Sequence, residues 1–175
     1  MTLMEVLIAS AIMVNVVVGI MSFAFYAARS FAALSNYTAL DVGSRSALDL
    51  MSTEIRQADK LTAATATSLQ FQTTDPPPST ATHTLQYVYS ADTQQLTRIL
   101  DGQSKVLLTQ CTYLQFGIFQ RNTTPSFTDA FSPVATSRPD LCKVVQLTWI
   151  CSRNILGRTA NTESVQSAKV VIRKK

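Results

Sequence analysis

MTLMEVLIASAIMVNVVVGIMSFAFYAA, residues Met1 to Ala28, carries one charged side chain, Glu5. About 20 apolar residues cross the hydrocarbon core of a bilayer as a helix, so this stretch is long enough to span one. A carboxylate inside such a segment costs roughly 2.5–3.5 kcal/mol on insertion scales and therefore calls for a partner. Two readings of Glu5 follow. It lies near the start of the stretch, where the membrane–water interface would solvate it. Alternatively it pairs with a positive charge brought by a neighbouring copy. The stretch holds no Lys or Arg, so the natural donor is the α-amino group of a second chain's Met1.

The helix continues outward from this stretch. Apolar or small residues recur at Tyr37, Leu40, Ser44, Ala47/Leu48, Met51, Ile55 and Ala58. Steps of three and four draw one stripe along a helix. Asp41, Arg45 and Asp49 follow at spacings that place opposite charges together on the solvated side. Gly43 weakens the element by about 1 kcal/mol relative to Ala. The pattern fades after Lys60, so the helix is expected to run about 80 to 90 Å at 1.5 Å per residue. Half of it is lipid-compatible and half amphipathic.

Strands follow. Ser68–Thr73 alternates, with Leu69 and Phe71 on one face, and Asp75-Pro76-Pro77-Pro78-Ser79 interrupts it. His83–Tyr89 and Leu96–Leu100 read as strands. Asp101-Gly102 then signals a hairpin into Lys105–Leu108. Thr112–Phe119 alternates through Leu114, Phe116 and Ile118. Lys143–Ile150 does so through Val145, Leu147 and Trp149, and Ser167–Ile172 predicts a last strand. Strands after one long helix define an α+β fold with an antiparallel sheet, one face of which the amphipathic helix covers. The chain divides into a membrane-spanning or filament-core helix (1–28), its amphipathic continuation (29–60) and a β-rich head (61–175).

Thr2-Leu3-Met4-Glu5-Val6-Leu7-Ile8-Ala9, followed by the apolar run, resembles the start of a mature type IV pilin or type II secretion pseudopilin. Leu50-Met51-Ser52-Thr53-Glu54-Ile55-Arg56-Gln57-Ala58 is similar to the helix end of large minor pilins and J-type pseudopilins, as is the hairpin around Tyr87-Val88-Tyr89 and Leu96-Thr97-Arg98. Two positions depart from the family pattern: Met1 stands where Phe is usual, and Ser22 where Pro is common. Met1 reads either as a processed terminus or as an initiator. The resemblance implies a structural subunit cut by a prepilin peptidase, with its Met1 amine processed and N-methylated. It also implies a single-pass stay in the bacterial inner membrane, then assembly by inner-membrane machinery into an extracellular or periplasmic filament. The partners would be copies of the chain or homologous pilins. Glu5 and Met1 would guide assembly, and Gly19, behind Val16-Val17-Val18, is the expected point of helix loosening.

Composition limits other functions. From Arg153 onward six basic residues face one acid, Glu163, which makes the preceding part slightly acidic. A basic end attracts anionic surfaces, or simply keeps a chain soluble. It holds no aromatic residue for stacking on bases, so nucleic acid gains no further support as a partner. Cys111, Cys142 and Cys151 contain no C-x-x-C pair, and His83 is the single histidine, so no zinc set is expected. Cys142 and Cys151 stand nine apart on one extended run, about 30 Å, and cannot join. If Thr112–Phe119 and Lys143–Ile150 pair antiparallel, Cys111 meets Cys151. That pairing sets Phe116 against Gln146, and matching the apolar faces then requires a one-residue shift or a bulge. A Cys111–Cys151 disulfide is the first expectation, Cys111–Cys142 the second and free thiols the third.

No catalytic motif emerges. His83 lies on a predicted strand, no G-x-S-x-G turn accompanies it, and there is neither H-E-x-x-H nor a Gly-rich phosphate loop. Asp92, Asp101, Asp129 and Asp140 read as separate solvated loop residues without calcium-ligand spacing. Asn15 could bond a neighbouring helix or be a tolerated polar group. Asn36-Tyr37-Thr38 and Asn122-Thr123-Thr124 match the glycosylation sequon. The expectation is a non-enzymatic pilus-like filament subunit without cofactor or metal. A minor pilin or pseudopilin priming the filament tip is the runner-up. A membrane-anchored periplasmic enzyme or ligand-binding module is the alternative of another class.

Overall fold

The computed structural model describes residues 2–76, 78–122, 132–153 and 163–173. Helix α1 runs unbroken over Leu3–Gln57, 55 residues, or about 80 Å at 1.5 Å per residue. It starts on a Thr2 cap and ends at Ala58, whose backbone N–H donates to the Glu54 carbonyl at 3.0 Å. From Leu3 to Ala39 the helix stands clear of the head, with only Ala27, Ala33 and Asn36 partly covered. From Leu40 onward it is anchored: Leu40, Ser44, Ala47, Met51 and Ile55 are buried. Arg45 pairs with Asp41 at 2.8 Å on the solvated side.

The strands are β1 Lys60–Ala64, β2 Ser68–Thr74, β3 Thr82–Ser90, β4 Gln95–Leu100, β5 Gln103–Leu108, β6 Cys111–Gln120, β7 Val134–Ala135, β8 Val144–Ser152 and β9 Glu163–Val171. They form two antiparallel sheets rather than one, in the orders β1-β2-β3-β4-β5 and β7-β6-β8-β9. The β4–β5 hairpin turns at Asp101 and Gly102, with φ of 49° and 86°. Two successive positive φ values suit the right-handed twist of the flanking strands. β1 escaped the sequence reading because Leu61 is its one buried side chain. A bulge between Leu61 and Ala63 also interrupts its register with β2.

One core joins the two sheets and the packed half of α1. Phe71, Tyr87, Leu96, Val145, Leu147 and Trp149 are fully enclosed together with Met51 and Ile55. α1 packs mainly on β9, with further contacts to β5 and β8. Burying a large apolar side chain stabilises by about 1.5–3 kcal/mol, so Leu40, Met51 and Ile55 hold this half of the helix against the head. This is an α+β architecture with a long apolar N-terminal helix, consistent with the pilin-like layout that the resemblance implies.

Candidate assembly helix and its anchor

Among the described residues, α1 is the one helix long and apolar enough to cross a membrane. Its apolar window is wholly uncovered by the head. Leu7, Ile8, Ile12, Val14, Ile20, Phe23 and Phe25 all lie open on it. Three polar side chains in this half turn back on their own backbone. Ser10 Oγ donates to Leu7 O at 2.9 Å, Asn15 Nδ2 to Ala11 O at 2.8 Å, and Ser22 Oγ to Val18 O at 2.8 Å. Asn15 therefore satisfies one amide N–H inside its own helix.

Glu5 closes a capping box. The Thr2 backbone N–H donates to Glu5 Oε2 at 2.8 Å, and Glu5 N–H donates to Thr2 Oγ1 at 3.4 Å. Thr-x-x-Glu before an apolar run is the sequence signal of this motif, and the sequence reading passed over it. One Glu5 oxygen is engaged here, and a carboxylate accepts several hydrogen bonds, so the cap leaves acceptor capacity. Met1, the other expected assembly residue, lies outside the described residues. At Gly19 the single chain stays helical, and an added Cβ would meet nothing within 4 Å.

The other end of α1 is locked by charge. Glu54 accepts from Arg98 Nη2 at 2.5 Å and from Arg98 Nε at 2.9 Å, and Tyr87 Oη donates to the same carboxylate. Tyr87 and Arg98 are directly paired across β3 and β4, which aims both at the last helical turn. The Glu54 and Arg98 side chains are 16% and 18% exposed, enough shielding to make the contact firm. Burial, with Glu54 second, holds the Tyr87 phenol far above its ordinary range; the bond to Glu54 raises Arg98 as well.

Beside this lock lies an open cleft of about 360 Å³, lined by Glu54, Arg98, Asp75, His83 and Asp101 among others. His83 Nδ1 is 2.5 Å from Asp101 Oδ2, and Nε2 is 3.3 Å from Asp75 Oδ2. Asp101 also accepts from the Thr84 backbone N–H at 2.8 Å. Both ring nitrogens can donate only in the imidazolium form. The hydrogen bonds to Asp101, then Asp75, raise His83 above the ordinary imidazole value. Asp101 is lowered, first by the Thr84 N–H and then by His83. Asp101 is thus a structural partner rather than an isolated loop residue, and Asp140 likewise pairs with Arg138 at 2.8 Å. Nε2, the nitrogen a serine would meet in a triad, faces a carboxylate instead; the bridge ties the β2–β3 connection to the β4–β5 turn. Asp129 lies outside the described residues.

Cys111 and Cys151 face one another in the β6–β8 register, with a shift between Cys111 and Tyr113 that brings Phe116 opposite Leu147. The structure carries all three cysteines as buried thiols. Cys142 follows the short 3-10 turn Pro139–Leu141 and its sulfur contacts Val144 O at 3.5 Å, at the far end of the same sheet. In the basic C-terminal part, Lys169 Nζ lies 5.2 Å from the Phe119 ring centre and Arg153 Nε donates to Gln110 at 2.5 Å.

No protein-family model matches the sequence, and a search of curated proteins finds no match.

Proposed function

We propose that this protein is a structural subunit of a type IV pilus-like helical filament, held in a membrane by α1 before assembly. The observation that carries the reading is the division of α1. One rigid helix presents an uncovered apolar half and ends in a head-bound half. An anchor for a periplasmic enzyme needs only the apolar span. A continuous helix locked into its head by Glu54, Arg98 and Tyr87 also fixes the head's direction along the helix axis, as helical packing requires. In the filament, apolar helices exchange lipid for one another, and the heads stand outside. Such contacts are head-to-tail, so two complementary surfaces meet and the array stays open.

Glu5 supplies the register in this scheme. Its carboxylate meets the terminal amine of a neighbour in surroundings where an unpaired charge is expensive. The decisive experiment is isolation of sheared or periplasmic filaments from cells expressing the chain, followed by helical reconstruction. The expected map has α1 helices bundled along the axis and the two-sheet head outside. Recovery of the chain solely as single copies in the membrane, under conditions where filaments form, rejects the reading.

A further inference from the structure

We propose that Cys111 and Cys151 form a cross-strand disulfide that staples the head at the seam where its two sheets and helix α1 meet. The inference rests on the geometry of the head and not on the filament reading. Cys111 and Cys151 are register partners on β6 and β8. Ser152 N–H donates to Gln110 O at 2.9 Å, whereas Cys111 N–H donates to Gln94 O, also at 2.9 Å. The cysteines therefore occupy a non-hydrogen-bonded antiparallel position, where Cα atoms stand about 4.5 Å apart and side chains approach closest. Disulfides span Cα separations of about 4.4–6.8 Å. A register pair of this class falls within that span.

The surroundings favour this pair over any pair with Cys142. Both thiols are buried, and their contact raises Cys111 and lowers Cys151, which makes Cys151 the readier thiolate of the pair. The seam converges on them: Tyr89 Oη donates to Cys111 O at 2.9 Å, and Ser164, the β9 partner of Cys151, donates to Ser44 of α1 at 3.5 Å. Ser44 also accepts from Trp149 Nε1 at 3.4 Å. Cys142, by contrast, lies at the opposite end of β8, a strand's length from Cys151. Closing a loop of about 40 residues restricts the unfolded chain strongly.

The chemistry balances by thiol–disulfide exchange. A protein disulfide or glutathione disulfide accepts the electrons. One cysteine thiolate attacks it, forming a mixed disulfide and expelling one thiolate. The second cysteine then displaces the other, so two S–H bonds are lost, one S–S bond forms and the oxidant leaves as two thiols. Because both sulfurs are enclosed, exchange occurs during folding, before α1 seals the seam.

The test uses the full chain in detergent, unfolded and refolded in a buffer of mixed reduced and oxidised glutathione. Alkylation under denaturing conditions and non-reducing peptide mapping should give one Cys111–Cys151 linked pair and an alkylated Cys142. Reduction of the same wild-type sample should lower its Tm by about 10 °C or more. A linked pair containing Cys142, three alkylated thiols, or an unchanged Tm on reduction of the linked protein overturns the proposal. None of these outcomes bears on filament entry, which fails or succeeds separately.

Discussion

Helix α1 contains two regions with the same backbone and opposite surroundings. Leu3–Ala39 is apolar around most of its circumference and almost wholly exposed, whereas Leu40–Gln57 buries one stripe and solvates the rest. A helix apolar all round belongs in a core or a membrane, and a striped one belongs on a domain surface. The contrast teaches that the free half takes its environment from outside the chain, while the packed half takes it from the head. Truncations should therefore behave differently in the two halves.

The largest effect is expected at Met51, which is completely buried. Met51→Ala should destabilise the head by about 2–5 kcal/mol, read from the Trp149 fluorescence of chemically denatured protein in detergent. Met13→Ala, at a side chain 69% exposed, should move the same transition by less than about 0.5 kcal/mol. Equal losses at both sites would erase the distinction between the halves.

Next in size is the lock at the helix end. Arg98→Ala leaves Glu54 and the Tyr87 hydroxyl without their shared cation. Full burial would make such a break cost about 3–5 kcal/mol; partial exposure reduces the expectation to about 1–3 kcal/mol. Tyr87→Phe removes one hydrogen bond and should cost about 0.5–1.5 kcal/mol by denaturant titration. If Arg98→Ala proves neutral, the stripe alone orients the helix.

The smallest effect belongs to the solvent-open bridge at His83. His83 is raised in the fold, so its stabilising contribution is full below its ordinary value of 6.5 and is lost as pH rises through the higher folded value. Asp101 is lowered, so its contribution is present above 3.8 and is lost as pH falls through the folded value. The bridge is therefore strongest between roughly pH 4 and 6.5. The Tm difference between wild type and His83→Gln should peak in that window and shrink toward pH 8. A difference independent of pH would assign His83 a packing role alone.

Much of this architecture is readable from residue order. The stripe Tyr37, Leu40, Ser44, Ala47/Leu48, Met51, Ile55, Ala58 announces the packed half; from Leu40 on its members are buried, Leu48 only partly, whereas Tyr37 lies exposed. Asp101-Gly102 announces the β4–β5 turn. The mismatch of Phe116 with Gln146 in the simple register calls for a bulge, which falls between Cys111 and Tyr113. The split into two sheets is not legible, because strands of both alternate alike. The break comes at Thr109-Gln110, where Gln110 adopts φ of 59° and Cys111 turns its N–H to Gln94. The clusters are equally silent. Glu54 and Arg98 lie on different elements, and Asp75 reaches His83 only through the connection beside the β2–β3 register. The Thr2–Glu5 box, in contrast, was written in the spacing and was missed because intramembrane charge offered a competing use for the same carboxylate.

That competition singles out the measurement that tests the central claim most directly: quantifying filament entry of Glu5→Gln beside Thr2→Ala. Glutamine serves at this position of a capping box, so Glu5→Gln keeps the cap and removes the charge, whereas Thr2→Ala weakens the cap and keeps the charge. With membrane levels equal, the account predicts that Glu5→Gln is largely lost from filaments and that Thr2→Ala assembles close to wild type. Normal filament entry of Glu5→Gln, with poor entry of Thr2→Ala, would contradict it and leave Glu5 as a helix cap.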